Sequence, residues 1–367
     1  MKKALIAMSG GVDSSVAAFL MQQKGFDCTG AMMRMFDSDI LPCGESTCCS
    51  LDDAEDARSV ARKMGMQFHV FNAKEEFADK VIGDFIRSYE SGTTPNPCIQ
   101  CNRHLKFDYF LRRARILGCE YIVTGHYARI GYDEASGRWL LRKALDESKD
   151  QSYVLYCLSQ DQLAHTLLPL GEMTKEQARS IAEAQGFINA KKRDSQDICF
   201  VPDGDYVAFM EHYTGKQYAP GDFLDLSGKV VGKHRGAVCY TLGQRKGLGL
   251  AMGAPVYVCG KDMAANTVTV GPNEALFATT LLAKDFNWIP FETLTVPMTV
   301  TARARYNQKE QPATVYPEEN GLVRVVFDQP QRAMTPGQAV VLYQGDIVVG
   351  GGTIEEIMQN AESRMQN

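Results

Sequence analysis

The stretch Ala4-Leu5-Ile6-Ala7, followed by Met8-Ser9-Gly10-Gly11-Val12-Asp13-Ser14-Ser15, constrains this chain more than any other. The apolar run reads as a short buried strand. Val16-Ala17-Ala18-Phe19-Leu20 reads as a helix that stops near Gly25. A strand, a Ser-Gly-Gly turn and a helix start make an anion trap. The glycines let the backbone approach a ligand, and the free N–H groups of the first helical turn point outward. Ser9, Ser14 and Ser15 add hydroxyl donors. The string has neither the Gly-Lys-Ser/Thr end of a P-loop nor the Gly-x-Gly-x-x-Gly of a dinucleotide fold. Two glycines alone would suggest only a tight capped turn, whereas the whole string favours a bound nucleotide.

Beyond that turn, strands and amphipathic helices alternate to about Phe200. Strands are expected at Gly30 to Phe36, Phe68 to Phe71 and Tyr121 to Thr124. Helices are expected at Asp52 to Met64, Glu75 to Tyr89 and Phe107 to Leu117. Thr174-x-x-Gln177 is a capping box before a helix over 178–185. Such alternation predicts a parallel sheet wrapped by helices, with ligands at the carboxyl ends of its strands. Ser9-Gly10-Gly11 and Gly125-His126 both fall at such ends. After Val201 short alternating runs take over: Gly236 to Tyr240, Val256 to Val258, Thr267 to Val270, Met298 to Ala302, Val323 to Phe327 and Ala339 to Tyr343. They predict β-rich structure ending in a small barrel. We place domains at 1–205, 206–275 and 276–367.

A chain of 367 residues exceeds one ordinary core. No apolar run approaches the roughly 20 residues of a membrane span, and the start does not read as a signal peptide, so a cytoplasmic protein without a membrane partner is expected. Eleven cysteines in such a chain point to catalysis, redox chemistry or metal binding rather than a disulfide scaffold. The net charge of -5 neither favours nor excludes RNA, because only a local basic face matters. Arg112-Arg113-x-Arg115, Lys191-Lys192-Arg193, Lys233-His234-Arg235 and Arg303-x-Arg305 are the candidate patches.

Two segments bring thiols forward. Thr93-Thr94-Pro95-Asn96-Pro97-Cys98-Ile99-Gln100-Cys101-Asn102 sets two prolines before a Cys-x-x-Cys and predicts a stiff thiol-bearing loop. Asp194-Ser195-Gln196-Asp197-Ile198-Cys199-Phe200 places a further thiol after a basic triple, where cations favour the thiolate. Cys28, Cys119, Cys157, Cys239 and Cys259 read as small buried hydrophobes. Cys43-x4-Cys48-Cys49 follows Pro42 with no histidine nearby. It reads as a loop of unassigned thiols, with a zinc site or an accessory sulfur-carrying site as alternatives.

The Ser-Gly-Gly-x-Asp-Ser string resembles the pyrophosphate loop of ATP pyrophosphatases, which adenylate an oxygen and release pyrophosphate. Thr-Pro-Asn-Pro-x-x-x-Cys-Asn, Thr124-Gly125-His126-Tyr127, Lys149-Asp150-Gln151-Ser152-Tyr153 and Cys199 follow in order. Thr-Leu-Gly-Gln-Arg-Lys-Gly-Leu-Gly at 241–249 and Thr-Pro-Gly-Gln at 335–338 complete the series. Together they resemble the tRNA-specific 2-thiouridylase (MnmA/TrmU) family over nearly the whole chain. That resemblance implies an adenine nucleotide alpha-hydrolase-like ATP pyrophosphatase domain and two smaller β-rich domains, the last a β-barrel. It implies ATP and Mg²⁺, a tRNA for Lys, Glu or Gln, and a sulfur donor that is a cysteine desulfurase or a relay protein. The wobble uridine would be adenylated on its carbon-2 oxygen, and that oxygen replaced by sulfur. Cys199 would carry a persulfide, and Cys101 would be the nucleophile that frees the sulfur by forming a disulfide with it. Asp13 would be catalytic. ATP would contact Ala7, Met8, Ser9, Gly10, Gly11, Val12, Asp13, Ser14, Met33 and Gly125. The tRNA would contact Asn96, Pro97, Cys98, His126, Lys149, Asp150, Gln151, Arg305, Tyr306 and Gln338, with its target base out of the stack.

One position departs from the family. Where its well-studied members have Asp, assigned as general base, this chain has Cys98. Cys98, Cys101 and Cys199 are therefore three candidate ligands for a [4Fe–4S] cluster whose free iron could bind sulfide. The persulfide route and the cluster route both remain open on the sequence. Two other readings compete: an amidotransferase-type synthetase acting on a small metabolite, and a thiol or iron–sulfur redox protein with a regulatory nucleotide site.

Overall fold

The structure is a computed structural model that describes residues 1–37, 40, 51–190, 192 and 198–358. The Cys43, Cys48 and Cys49 group, Lys191 and residues 193–197 lie outside the described residues, and so do the readings placed on them.

The first layer is a five-stranded sheet ordered β3-β2-β1-β4-β7. Its strands are β1 (Lys3–Ala7), β2 (Asp27–Arg34), β3 (Phe68–Asn72), β4 (Tyr121–Val123) and β7 (Thr166–Leu167). Every pairing in it is parallel. Burial explains the apolar strands: Ala4, Leu5 and Ile6 have no exposed surface because helices cover both faces. The strand order runs outward from β1 through β2 to β3, then resumes on the other side at β4. That reversal puts a crevice beyond the carboxyl ends of β1 and β4.

Helix α1 (Val12–Gln23) and helix α2 (Leu51–Lys63) fall where periodicity put them. So does α3 (74–90), which widens to π geometry over Ala78–Ile82. Helix α4 (97–116) differs from expectation. It begins at Pro97, runs through a π segment at Cys101–Tyr109, and carries Cys98 and Cys101 on helix rather than on a loop. The chemistry of its start explains this. Asn96 Oδ1 accepts from Ile99 N at 3.4 Å, and Pro97 occupies the first helical position, where it has no hydrogen bond to lose.

Short helices α5 (Ser152–Leu155) and α6 (Gln160–Ala164) lead to α7 (Lys175–Ala184), whose Thr174–Gln177 capping box forms as expected. Helix α8 (Tyr206–Thr214) shares an apolar cluster with the first layer: Phe200 meets Phe77, Phe85 and Phe209 at ring distances of 5.7, 5.2 and 5.0 Å.

A four-stranded sheet follows, ordered β10-β11-β8-β9. It contains β8 (Gly221–Leu224), β9 (Val230–His234), β10 (Tyr257–Asp262) and β11 (Thr267–Gly271). The alternating run at 236–240 is not a strand; Ala237–Cys239 form a 3-10 turn after Gly236, whose φ is +123°. The last unit is a closed barrel, β12-β15-β14-β13-β16-β17, in which β12 (Phe277–Trp288) also pairs with β17 (Ile347–Met358). The others are β13 (Met298–Arg303), β14 (Gln311–Pro317), β15 (Val323–Arg332) and β16 (Ala339–Gln344). Closure leaves no free edge in the barrel wall.

Among the elements the sequence reading did not name is a hairpin that links two of the units. The hairpin β5 (Arg129–Asp133) and β6 (Arg138–Arg142) leaves the first layer and joins the barrel sheet, with Arg142 opposite Ile347. Arg129 and Arg142 each reach Asp346 at 3.0 Å. Among the described residues no helix is long and apolar enough to cross a membrane.

Candidate active site

The Ser-Gly-Gly turn lies at the carboxyl end of β1, at the strand-order reversal. Gly10 adopts φ +76°, and a Cβ there would sit 2.5 Å from the Asp53 carbonyl oxygen. Only glycine fits. The turn is held from within: Ser14 Oγ donates to Gly11 O at 3.0 Å, and Ser9 N donates to Ser14 Oγ at 3.3 Å. It is also held from outside. Asn189 Nδ2 donates to Gly10 O and to Ser15 Oγ, both at 2.9 Å. Ser9 remains exposed, and Met8, Val12 and Met33 are buried behind it. Ala7, at the end of β1, is half-buried.

Asp13, in the first turn of α1, faces two donors. Lys175 Nζ meets its carboxylate oxygens at 2.8 and 2.7 Å, and the Tyr127 hydroxyl donates to it at 2.9 Å. Lys175 and Asn189 were not found by sequence reasoning. The signal for Lys175 was its place: a lysine at the first position of a helix opposes the helix dipole, so a specific anion has to account for it.

The segment after β4 crosses between this turn and the thiol helix. Gly125 abuts the turn so closely that a Cβ would stand 2.8 Å from Asp13 C and Ser14 N. His126 lies on the other side, its ring 5.6 Å from that of Phe107 in α4. The Thr124 hydroxyl meets His126 Nδ1 at 2.8 Å. Burial, reinforced by the Lys106 cation, holds His126 well below its usual pKa, so the ring is neutral.

Cys98 is exposed and Cys101 is buried. Burial pushes the Cys101 thiol up to about 11, against the opposing pull of Lys106. Asn102, almost fully buried, donates to Val154 O at 2.9 Å and ties the thiol helix to α5. Cys199 is half-buried beside the anchored Phe200 ring. Among the described residues no three His, Cys, Asp or Glu side chains gather to hold a metal, so Cys98, Cys101 and Cys199 form no such set. Of the five cysteines expected to be buried hydrophobes, Cys28, Cys119, Cys157 and Cys239 are buried, and Cys259 is half-buried.

The expected RNA-contacting residues divide into two groups. Several are spent within the protein. Asp150 accepts from Ala144 N at 3.0 Å and from Ser152 Oγ at 2.8 Å; Gln151 Oε1 accepts from Tyr127 N at 2.9 Å. Arg305 turns inward to Leu242 O, at 3.3 Å, and to Thr335 Oγ1, at 2.6 Å. Arg303 meets Glu310 at 2.9 Å, and Lys192 meets Asp56 at the same distance. Of the other basic patches, Arg115 is paired with Asp161 at 2.8 Å and Lys233 with Asp222 at 2.6 Å. Tyr306 is different. It is 41 % exposed, and its ring packs edge-on to Tyr153.

The barrel reaches this site through Pro336-Gly337-Gln338. Thr94 N donates to Pro336 O at 2.8 Å, and Gln338 Nε2 donates to the carbonyls of Thr94 and Pro95, each at 3.0 Å. Gly337, at φ +90°, leaves no room for a Cβ, which would lie 2.8 Å from Thr94 N. Gly337→Ala is expected to cost about 1–3 kcal/mol of stability, read as a lowered Tm, through strain at positive φ and displacement of Thr94.

Three family models match in succession. They are described as a tRNA methyl transferase HUP domain over residues 2–203, a tRNA methyl transferase PRC-barrel domain over 207–272, and an aminomethyltransferase beta-barrel domain over 278–354. A tRNA-specific 2-thiouridylase MnmA of Clostridioides difficile (strain 630) is 50% identical, over 97% of this chain and 98% of its own. The protein of the same name from Desulforamulus reducens is 51% identical over 98% of each chain. The chain belongs to the tRNA-specific 2-thiouridylase family. A solved 4-thiouridine synthetase–RNA complex with bound ATP is 18% identical, covering 58% of this chain and 53% of its own, at a TM-score of 0.33. In this chain the Ser-Gly-Gly turn, the segment at Gly125-His126 and the thiol helix are contiguous.

Proposed function

We propose that this sulfurtransferase uses ATP to thiolate carbon 2 of the wobble uridine in tRNA for Lys, Glu or Gln, with sulfur carried as a persulfide on Cys199. The observation that carries this reading is the segment after β4. It packs Gly125 against the Ser-Gly-Gly turn on one side and His126 against the thiol helix on the other. A base presented there would face a triphosphate and a thiol at once.

The triphosphate would lie on the turn, with the N–H groups of α1 and the Ser9 hydroxyl as donors. Mg²⁺ would neutralise charge on the triphosphate, and Asp13, in the first turn of α1, is the carboxylate that would hold it. The uridine carbonyl oxygen attacks the α-phosphorus, the N3 proton leaves, and pyrophosphate departs. This step matters because a urea-like oxygen is a poor leaving group and AMP is a good one. The terminal sulfur of the Cys199 persulfide then adds to carbon 2 and expels AMP. Cys101, as thiolate, attacks Sγ of Cys199. The Cys101–Cys199 disulfide forms, the S–S bond of the adduct breaks, and the thiocarbonyl is released. A thiol reductant restores both cysteines before the next turnover. The donor that loads Cys199 would be a cysteine desulfurase or a relay protein, and Tyr306 offers the flipped base a stacking face.

Nucleoside mass spectrometry after incubation with tRNA, ATP and a persulfide donor should show 2-thiouridine, and pyrophosphate release should require tRNA. Release driven by a small metabolite, with no thiolated nucleoside, would replace this reading with the synthetase one.

The cluster route does not fit the described thiols, which form no metal-holding set. Anaerobically purified protein should carry no stoichiometric iron, and Cys98→Asp should still thiolate tRNA with relay-delivered sulfur. About four irons per chain, with activity lost on their removal, would overturn the persulfide assignment.

A further inference from the structure

Thr124 follows β4 at the carboxyl end of the first sheet, and its buried hydroxyl faces the His126 ring. Counting hydrogen bonds fixes where the imidazole proton sits. The Thr124 oxygen accepts from His126 N at 3.4 Å and lies 2.8 Å from His126 Nδ1. If Nδ1 carried a proton, as in the other tautomer or the imidazolium, that proton would also point at the Thr124 oxygen. The Thr124 hydroxyl proton would then have no acceptor among the described residues, on a side chain only 3% exposed. Buried hydroxyls avoid that state. The arrangement that satisfies both groups has the hydroxyl donating to Nδ1, which leaves a neutral ring with its one proton on Nε2. Burial, together with the Lys106 cation, favours the same neutral ring. Nε2 makes no hydrogen bond among the described residues, and the half-buried ring leaves it open to solvent. The backbone keeps this donor in place: Gly125 is wedged against Asp13 and Ser14, and Thr124 N donates to Leu167 O at 3.4 Å.

We propose that Thr124 is a positioning residue that holds His126 as an Nε2–H donor, and that this donor selects uracil, with a carbonyl at carbon 4, over cytosine, with an amino group there. The inference rests on the thiolation reading and adds how the site tells one pyrimidine from the other. Both bases carry a carbonyl at carbon 2, so the reacting group does not distinguish them. At carbon 4, uracil presents an acceptor and cytosine a donor. Nε2–H meets the first with a hydrogen bond and the second with two protons face to face. The same donor assists the chemistry. When N3 loses its proton, negative charge spreads to O4, and a fixed hydrogen bond there stabilises it. O2 stays free to attack phosphorus, and the imidazole proton remains on Nε2 throughout. The other tautomer would reverse the preference, because an Nε2 lone pair accepts from the cytosine amino group and repels O4 of uracil.

The test uses the full-length protein and two tRNA transcripts that differ only in carrying uridine or cytidine at the wobble position. In the parent, single-turnover pyrophosphate release should favour the uridine transcript by about 100-fold or more. Thr124→Val keeps the side-chain shape but supplies no proton to Nδ1, so the ring samples both tautomers. Its uridine rate should fall about tenfold and its preference for uridine should narrow about tenfold, while its affinity for the uridine tRNA stays within a few-fold of the parent. Thr124→Ser retains the hydroxyl and should keep the parental preference. A threonine that only packs would leave the preference unchanged in both variants. Nitrogen NMR of histidine-labelled protein reads the tautomer directly, with the His126 signal assigned by its absence from His126→Gln. It should show Nε2–H in the parent and in Thr124→Ser, and a mixture in Thr124→Val. An Nδ1–H ring or an imidazolium in the parent at pH 7, or the parental preference in Thr124→Val, would overturn the proposal. Equal release with both transcripts would sink this inference alone. If the parent releases pyrophosphate with neither tRNA, the thiolation reading falls first, and the base selection falls with it.

Discussion

Cys199→Ser should abolish 2-thiouridine formation while tRNA-dependent pyrophosphate release continues. Serine has no sulfur to carry and cannot form a persulfide. The loss should be complete rather than partial, because no other group on the pathway holds the transferred atom. Cys101→Ser should reach the same end by another route: sulfur loads onto Cys199 but is not released as product. Labelled sulfur should therefore stay protein-bound in Cys101→Ser and be absent from Cys199→Ser. Normal 2-thiouridine yield from either variant would remove that cysteine from the mechanism. Cys101 also sets a pH dependence. Burial raises its thiol to about 11, so its thiolate fraction grows roughly tenfold per pH unit below that value. Where sulfur release limits turnover, the rate should climb from pH 7 to 9. A flat profile in single-turnover measurements would count against Cys101 as the thiolate that acts in the buried setting described here.

The second large effect belongs to Asp13. Asp13→Asn should reduce ATP-dependent turnover by roughly 100-fold or more, the range seen when a charged group in a preorganised site is neutralised. Asparagine can still accept from the Tyr127 hydroxyl, which lies 2.9 Å from the carboxylate. It cannot balance Lys175, which is only 8% exposed. Some loss of Tm is therefore expected as well, about 1–3 kcal/mol in stability, since an ammonium loses its partner in a site still partly open to water. Alanine would lose the Tyr127 contact too, so asparagine gives the cleaner test. Parent-like pyrophosphate release from Asp13→Asn would remove this carboxylate from the chemistry.

Much of this arrangement was legible in the sequence where a local rule coincided with a tertiary need. The turn at Ser9-Gly10-Gly11 could be read because both a left-handed backbone and a close approach by Asp53 demand glycine at Gly10. The parallel sheet followed from alternating apolar runs and helices, and the capping box at Thr174 formed as written. The thiol segment was misread as a loop because its two prolines were weighed as breakers. Pro97 is a helix starter, and the Asn96 cap beside it decides the matter. The run at 236–240 looked like a strand by alternation, yet Gly236 turns it. The hairpin at 129–142 carries no strong alternation; it is stabilised by Asp346, more than 200 residues away, and no local rule could show that. The commitments of Gln338, Arg305 and Asp150 were hidden for the same reason. Their motifs mark positions of importance, but whether an amide faces RNA or a neighbouring carbonyl depends on what the fold brings opposite.

The hold of Gln338 on Thr94 and Pro95 has a consequence for the order in which this protein becomes competent. The two partners are 244 and 243 residues apart. A chain emerging from the ribosome exposes the Ser-Gly-Gly turn first and the thiol helix soon after. The loop that fixes the approach to those thiols is made almost last. A nascent or prematurely terminated chain can thus assemble its nucleotide pocket while its thiol helix still lacks its brace. The segment that leads into the thiol helix thus gains its barrel contact only when synthesis is nearly complete.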